Sequence, residues 1–302
     1  MELAEIREYK FAKRIVALYG DEGAAWLEAL PSLLQKWAVN RHLKEIIPQN
    51  ISNYNFIGYG LTEDNLPVVI KTGFPAKEIS LEIAALSAFR SNYMIKALAI
   101  DRENQLVLLP RLLPGTPLHR DLDDEQQTII AAGLMKEIKT PVQSDFNFPL
   151  LTDWFRKISQ FKADKSLPIP GKFLANAEHI FAELQKEEFQ PLLLHGDLHH
   201  YNILRYDEDW IIIDPKGVVG NPLYETACFL YNPSPLFHKV NHPQDIIKRR
   251  IAIFNEILGY SREQIAAMAY CQSVLSACWC LEDKEDCWQN ALAWADIFYL
   301  LL

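Results

Sequence analysis

Asp197, Asn202 and Asp214 have the types and spacing needed to move a phosphoryl group. Asp197 follows His195-Gly196 at the end of the apolar run 192–194. Asn202 comes five positions later, and Asp214 closes a second apolar run, 211–213, twelve positions beyond the asparagine. Transfer to a hydroxyl needs a carboxylate at the acceptor oxygen and metal ions on the phosphates, with the reacting groups held in line. A carboxylate in a tight turn after a strand can serve as that base or orienting group. An amide oxygen and a second carboxylate can hold magnesium, and the spacing is that of a kinase catalytic loop. Gly196 relieves the backbone of the turn, and His195 reads as a brace for the loop rather than a proton carrier. The H-x-D, the five-residue step to asparagine, the flanking apolar runs and the I-I-I-D sequence coincide, which gives the motif its specificity.

A second pair supplies the nucleotide end. LKEII, NFIGYG and LPVVIK read as three short strands, separated by the loop PQNISNY and the polar turn LTEDN. Lys71 ends the third strand, where a kinase-like small lobe presents the lysine that meets the α- and β-phosphates. Residues 77–90 have helical periodicity, with Ile79, Ile83 and Leu86 on one face and Glu82 among them. A carboxylate on an apolar face is costly without a cation, and Lys71 is the candidate. The loop 48–54 holds no glycine; if it covers phosphates, Ser52 and backbone amides must hold them. Gly58-Tyr59-Gly60 falls past that loop and reads as a strand-end irregularity. The run leaving through Pro110-Arg111-Leu112 reads as a hinge where an adenine edge would bond the backbone. Pro110 has no N–H, so the donor is Arg111 or Leu112.

The elements that position these groups follow from periodicity. Residues 3–40 read as helices, with a turn at Gly20-Asp21 and another opened by Pro31. Residues 121–188 read as mainly helical, and Asp121, Asp123, Asp124 and Glu125 form an acidic helix start that suits the dipole and needs no ligand. After Pro222 come helices over 246–258, 262–281 and 287–302. Between the last two lies Glu282-Asp283-Lys284-Glu285-Asp286, a solvated loop by composition. The order predicts an α+β, bilobal protein-kinase-like fold. A small N-lobe with an antiparallel sheet spans residues 1–112, and a large, mainly helical C-lobe spans 113–302. Asp214 is followed by Pro215-Lys216 rather than Phe-Gly, and no A-P-E segment follows. That argues against a protein substrate and for a small acceptor.

These stretches together resemble one family. HGDLHHYNIL followed by IIIDPKGVVGNPLYETACFLYNP is similar to the aminoglycoside 6-phosphotransferase and hydroxyurea-resistance kinase family. LYGDEGAAWLEALPSLLQKW, PVVIK, LLPGTPL and SACWCLED extend the likeness over most of the chain. The resemblance implies ATP as phosphate donor, Mg2+, and transfer to a hydroxyl of an aminoglycoside such as streptomycin or a related small acceptor. A sugar, an amino alcohol or hydroxyurea is an alternative acceptor, and a catalytically weak nucleotide-binding regulator is the rival from another class. By position, the resemblance makes Lys71 and Glu82 the phosphate pair, Asp197 the catalytic residue, and Asn202 and Asp214 the metal ligands. Acidic residues on the C-terminal helices of such kinases bind the cationic drug, which marks Glu282 and Asp283 as acceptor candidates. Lys216 and Tyr224 are lesser candidates, and Glu225 is expected to anchor the local loop. The glycine-free loop and Pro110 depart from the family pattern.

Composition narrows the setting. The chain has 302 residues, 49% of them hydrophobic, enough for one large core or two modest ones. Acidic residues outnumber basic ones 39 to 30, the reverse of a nucleic-acid binder. The N-terminus lacks a signal-peptide core and no long apolar run suggests a membrane span, so a cytoplasmic protein is expected. The five cysteines all lie in the last quarter. Their odd number favours reduced thiols, and Cys278, Cys280 and Cys287 read as buried free cysteine rather than a metal site.

Overall fold

Leu27, Leu30 and Leu34 fall on one stripe of a long first helix, and that stripe organises the first part of the chain. In the computed structural model, which describes residues 6–74, 77–164, 166–233 and 242–302, this helix is α1 (Lys10–Asn40). Residues 3–5 of the expected helical start lie outside the described residues. Gly20, at φ 55° and ψ −129°, breaks α1 into two helical segments at the expected turn, a conformation that only glycine adopts cheaply. Pro31 does not open a turn; it sits inside the helix. Its lost hydrogen bond and ring clash cost about 3 kcal/mol, which burial of the flanking leucines, at about 1.5–3 kcal/mol each, offsets.

The leucine stripe packs on an antiparallel sheet of β1 (Leu43–Gln49), β2 (Asn55–Thr62), β3 (Pro67–Gly73), β4 (Ala99–Asp101) and β5 (Leu106–Pro110), in the order β1-β2-β3-β5-β4. Phe56, Val68, Ile70, Leu106 and Leu108 form the face buried with α1. Alternation then turns Val69, Lys71 and Gly73 to the other face, where α2 (Lys77–Ala88) follows. Gly58 and Gly60 are not a strand-end irregularity. They lie in regular register within β2, opposite Pro48 and Ile46 of β1 and Ile70 and Val68 of β3. A Cβ at Gly58 would stand 2.7 Å from Ile46 Cγ2, and one at Gly60 2.7 Å from Glu45 O. These glycines let the strands and their core side chains close up.

Contacts divide the chain into two compact units, residues 1–87 with 95–115 and residues 88–94 with 116–302. β6 (Pro114–Pro117) leads into the second. That unit contains α3 (Asp124–Glu137), β7 (Thr140–Pro141), α4 (Leu151–Ala163) and α5 (Gly171–Leu184), then β8 (Leu192–Leu194), β9 (Ile203–Tyr206), β10 (Asp209–Ile212) and β11 (Val218–Gly220). The helices α6 (Tyr224–Leu230), α7 (Pro243–Leu258), α8 (Arg262–Glu282) and α9 (Trp288–Tyr299) complete it. β8 pairs antiparallel with β7 and β11, and β9 with β10. Among the described residues, α8 is the one helix long and apolar enough to cross a membrane, and 72% of its apolar window is buried inside the structure. It is the core helix of the unit, buried on nearly every side from Ile265 to Cys278, hence its lack of a polar face.

One expectation is corrected here, and another is extended. Cys280 and Cys287 form a disulfide, leaving Cys228, Cys271 and Cys278 as buried free thiols. The chain reverses between α8 and α9, bringing the two Cα atoms to 5.7 Å, inside the range a disulfide spans. Asp124 does more than suit a helix dipole: its Oδ1 accepts from Arg250 Nη2 at 2.6 Å and Nε at 2.9 Å. Arg250 is 2% exposed and also donates to the carbonyls of Phe229, Leu230 and Asn232. The true helix cap is Asp123, in a capping box with Gln126.

Arg250→Ala would strand the Asp124 carboxylate and three carbonyls. Urea unfolding should show a loss of about 3–5 kcal/mol. Arg249→Ala, whose half-exposed side chain stands 3.9 Å from Asp124, should cost about 0–1 kcal/mol.

Candidate active site

The residues from His195 to Asp214 form a turn and a hairpin joined by several hydrogen bonds. His195 directly follows β8, and Gly196 adopts φ 82°. A Cβ at Gly196 would lie 2.9 Å from Trp154 Cη2 and 3.1 Å from Val218 Cγ1, so both conformation and space require glycine. The Asp197 N–H donates to His195 Nδ1 at 3.1 Å, and His195 Nε2 meets Ile213 O at 2.7 Å. Nδ1 therefore carries no proton, and Nε2–H is the donor. Lys216 N donates to His195 O at 2.7 Å, and Ile213 N to Asn202 O at 2.9 Å. The imidazole and these two amides tie the 195–197 turn to the end of β10 and the chain beyond it.

Asn202 lies in a single 3-10 turn, His200–Asn202, just before β9. Its Nδ2 donates to Asp197 O at 2.9 Å, which turns Oδ1 away as the acceptor end of the amide. Asp214 holds φ 59°, a left-handed conformation that aspartate tolerates better than most residues. Its charge acts on His195, as does that of Asp197. Asn202 and Asp214 supply one amide oxygen and one carboxylate. Among the described residues no group of three or more His, Cys, Asp or Glu side chains could hold a metal ion. This donor set does not suit zinc or an all-protein cage. It fits magnesium, which takes one or two protein carboxylates and completes its shell with water and phosphate. The Asp197 side chain is 37% exposed within a turn where His195, Gly196, Leu198 and Asn202 are buried.

Beneath the turn, Glu225 in the first turn of α6 accepts the N–H groups of His195 and, at 3.3 Å, Gly196. Burial pushes its carboxyl up to about 7, against the two backbone bonds, with the Asp197 charge adding to the rise. Burial drives His195 the other way, to about 4, against its bond to Ile213 and the Asp197 charge. His195 is thus neutral at ordinary pH and braces the turn. Tyr224, expected near a ligand, is removed from that role: it is fully buried and its hydroxyl donates to Gln272 at 2.6 Å.

In the other unit, Lys71 Nζ meets Glu82 Oε1 at 2.7 Å, with both side chains at least nine-tenths buried. Gly73, on the Lys71 face of β3, leaves room for α2: its Cβ would collide with Asn55 Oδ1 and sit 3.5 Å from Ile79. Arg111 is not a free backbone donor, because its N–H already bonds Pro67 O at 3.0 Å and its guanidinium stacks over Tyr59 at 3.8 Å. Leu112 is then the remaining hinge amide. Ser52 Oγ accepts from Tyr54 N and Asn55 N, shaping its loop while keeping its own O–H. That loop is fastened to α1 by the Lys10 N–H on Asn50 Oδ1 and by Arg14 on the Tyr54 hydroxyl.

Glu282, an expected acceptor residue, is paired: its Oε1 accepts from Lys157 Nζ at 2.6 Å. Asp283 is the half-buried C-cap of α8. Two residues that the motif reading does not single out stand beside the turn, His199 and Trp154, and Lys157 stands one helical turn beyond Trp154 on α4. His199 Nε2 lies 3.5 Å from Asp197 Oδ1; Trp154 and Lys157 come from α4. His199 could have been found in the motif itself, whereas Trp154 and Lys157 carry no local signal.

Three comparisons place this geometry. Residues 62–284, more than half of the chain, match the family described as aminoglycoside/hydroxyurea antibiotic resistance kinase. The chain is 25% identical to a streptomycin 6-kinase of Streptomyces glaucescens over 93% of its own length and 92% of the relative's. It is 24% identical to a hydroxyurea phosphotransferase of Kitasatospora aureofaciens, over 88% and 77%. The fold is similar to that of an aminoglycoside phosphotransferase, APH(4)-Ia, solved as a thermostable mutant with ADP and hygromycin B. That likeness has a TM-score of 0.62 and 13% identity, and covers 89% of this chain and 98% of that one.

The opposed shifts beneath the turn have a pH signature. The folded His195 binds a proton less readily than the unfolded residue, so its contribution is full above 6.5 and is lost as pH falls towards 4. Glu225 binds one more readily when folded, so its contribution is lost as pH rises from 4.5 to about 7. Between pH 4.5 and 6.5 the two nearly cancel. In Glu225→Gln only the histidine remains, and urea-derived stability should climb with pH more steeply than in the parent, by about 1 kcal/mol per pH unit. Equal slopes would mean that Glu225 stays ionised.

Proposed function

The chain belongs to the aminoglycoside/hydroxyurea antibiotic resistance kinase family, and on that premise we propose that it transfers the γ-phosphoryl group of ATP to a hydroxyl of a cationic aminoglycoside of the streptomycin type. The observation that carries this reading is the partly exposed Asp197 carboxylate in a turn held by the His195 ring, the Glu225 carboxylate and the Asn202 amide. A carboxylate so presented can accept the acceptor's proton as the acceptor oxygen forms its bond to the γ-phosphorus and the bond to the ADP oxygen breaks. Lys71, fixed by Glu82, would meet the α- and β-phosphates, and the Leu112 amide would meet the adenine edge. Asn202 and Asp214 would hold magnesium, which when bound supplies charge neutralisation on the phosphates. Glu282 and Asp283 would meet the acceptor's cations. Support for the acceptor class comes from the streptomycin 6-kinase relative and from the hygromycin B complex of the fold neighbour.

ADP release should require streptomycin or a close aminoglycoside, and neither hydroxyurea nor a neutral sugar should substitute. Asp197→Asn should bind ATP with nearly unchanged affinity by calorimetry and lose about 10²–10⁴-fold in turnover. Full turnover in that variant, or ADP release independent of every acceptor, would overturn the assignment. Lys71→Met should weaken ATP binding and also lower stability by about 3–5 kcal/mol, because it leaves Glu82 buried and uncompensated.

A further inference from the structure

Two helices of the second unit build a wall that begins at the catalytic turn. Trp154 of α4 packs on Gly196, with its Cη2 2.9 Å from where a Cβ would stand. It meets Trp279 of α8 edge to face, ring centroids 5.5 Å apart at 81°. Both indoles are half-buried, so each keeps surface for a ligand. One helical turn on, at i+3 in each helix, stand Lys157 and Glu282, bonded at 2.6 Å with side chains 31% and 39% exposed. The wall therefore runs from the residue beside Asp197, across two indoles, to an ion pair. The disulfide from Cys280 to Cys287 fixes the chain reversal just past Glu282.

We propose that Lys157 is an internal competitor for the acceptor's cation, and that an acceptor ring lying on the Trp154–Trp279 wall displaces it from Glu282. The inference rests on the kinase reading only in taking the occupant to be a cationic ring compound. A carboxylate already paired offers little net charge to a passing ligand. The lysine ammonium is a single strongly hydrated point charge, whereas a guanidinium makes two parallel bonds to a carboxylate and is more weakly hydrated. Guanidinium-bearing cyclitols can therefore replace Lys157, and the indoles favour a cation carried over their faces. A neutral sugar gains nothing from Glu282 and must leave the ion pair intact. Lys157 thus acts as a specificity-determining residue: it raises the threshold that an acceptor's charge must pass.

The test is calorimetric binding of streptomycin to the parent, Lys157→Met, Glu282→Gln and the double variant, with Lys157→Gln as a second replacement. Methionine keeps the apolar stem of the lysine and drops its charge. Lys157→Met and Lys157→Gln should bind streptomycin roughly two- to five-fold more tightly, the size of a half-exposed ion pair. The gain should vanish in the Glu282→Gln background. In acceptor-dependent turnover KM should fall by the same factor with kcat unchanged, and binding of neutral myo-inositol should not change. Equal or weaker streptomycin binding by Lys157→Met overturns the proposal, as does an equal gain without Glu282. Absence of binding to all five proteins overturns it too. Tighter binding without any turnover would leave the competition standing and count against the phosphotransferase reading.

Discussion

A neutral imidazole buried between two backbone groups is the interaction on which the candidate site depends. His195 takes the Asp197 N–H on one nitrogen and gives its own proton to Ile213 O with the other. The same ring thereby joins the 195–197 turn to Ile213 just past β10, eighteen positions from His195. A charged ring could not do this, because protonating Nδ1 would set two donors against each other. The backbone of His195, Gly196 and Asp197 is thereby held by bonds to the ring, Glu225 and Asn202, while the Asp197 side chain stays partly exposed. Rigid support with one exposed carboxylate is what positioning catalysis requires.

The same logic of a buried polar group with a dedicated partner recurs across the fold. Glu82 has Lys71, and Asp124 has Arg250. Such pairs seldom add net stability over apolar packing, but losing one member is costly. They therefore act as local specifiers: α2 can sit over the Lys71 face of β3 only in a register that brings Glu82 to the lysine. The Asp124–Arg250 pair similarly links the start of α3 to α7, and through three carbonyls to the end of α6 and the residues after it. By contrast, the half-exposed Lys157–Glu282 pair costs little to open, which is why it can serve selection rather than stability.

Much of the site could be read from sequence because its chemistry is local. The steps from Asp197 to Asn202 and on to Asp214 are set by one turn and one hairpin, and Lys71 and Glu82 by one strand and the next helix. What could not be read depends on distant packing. Trp154 reaches the turn from α4, and Lys157 of the same helix meets Glu282 of α8, and nothing near residue 154 announces either. Arg250 looks like any helix arginine until α3 and α7 meet. The pairing of Cys280 with Cys287 depends on a chain reversal that their spacing alone does not reveal. Gly58 and Gly60 are illegible for a related reason, since their need for small size arises from Ile46 and Glu45 on the neighbouring strand. The hinge illustrates a subtler limit: Pro110 visibly lacks a donor, but only the structure shows that Arg111 has already used its own on Pro67.

The protonation state of His195 tests the clamp most directly. Nitrogen-15 NMR of the histidine rings, followed from pH 8 to pH 5, should show His195 as the neutral Nε2–H tautomer throughout, since burial lowers it to about 4. An imidazolium at pH 6, or an Nδ1–H tautomer at any pH in that range, would contradict the clamp and with it the basis for the exposed Asp197 carboxylate.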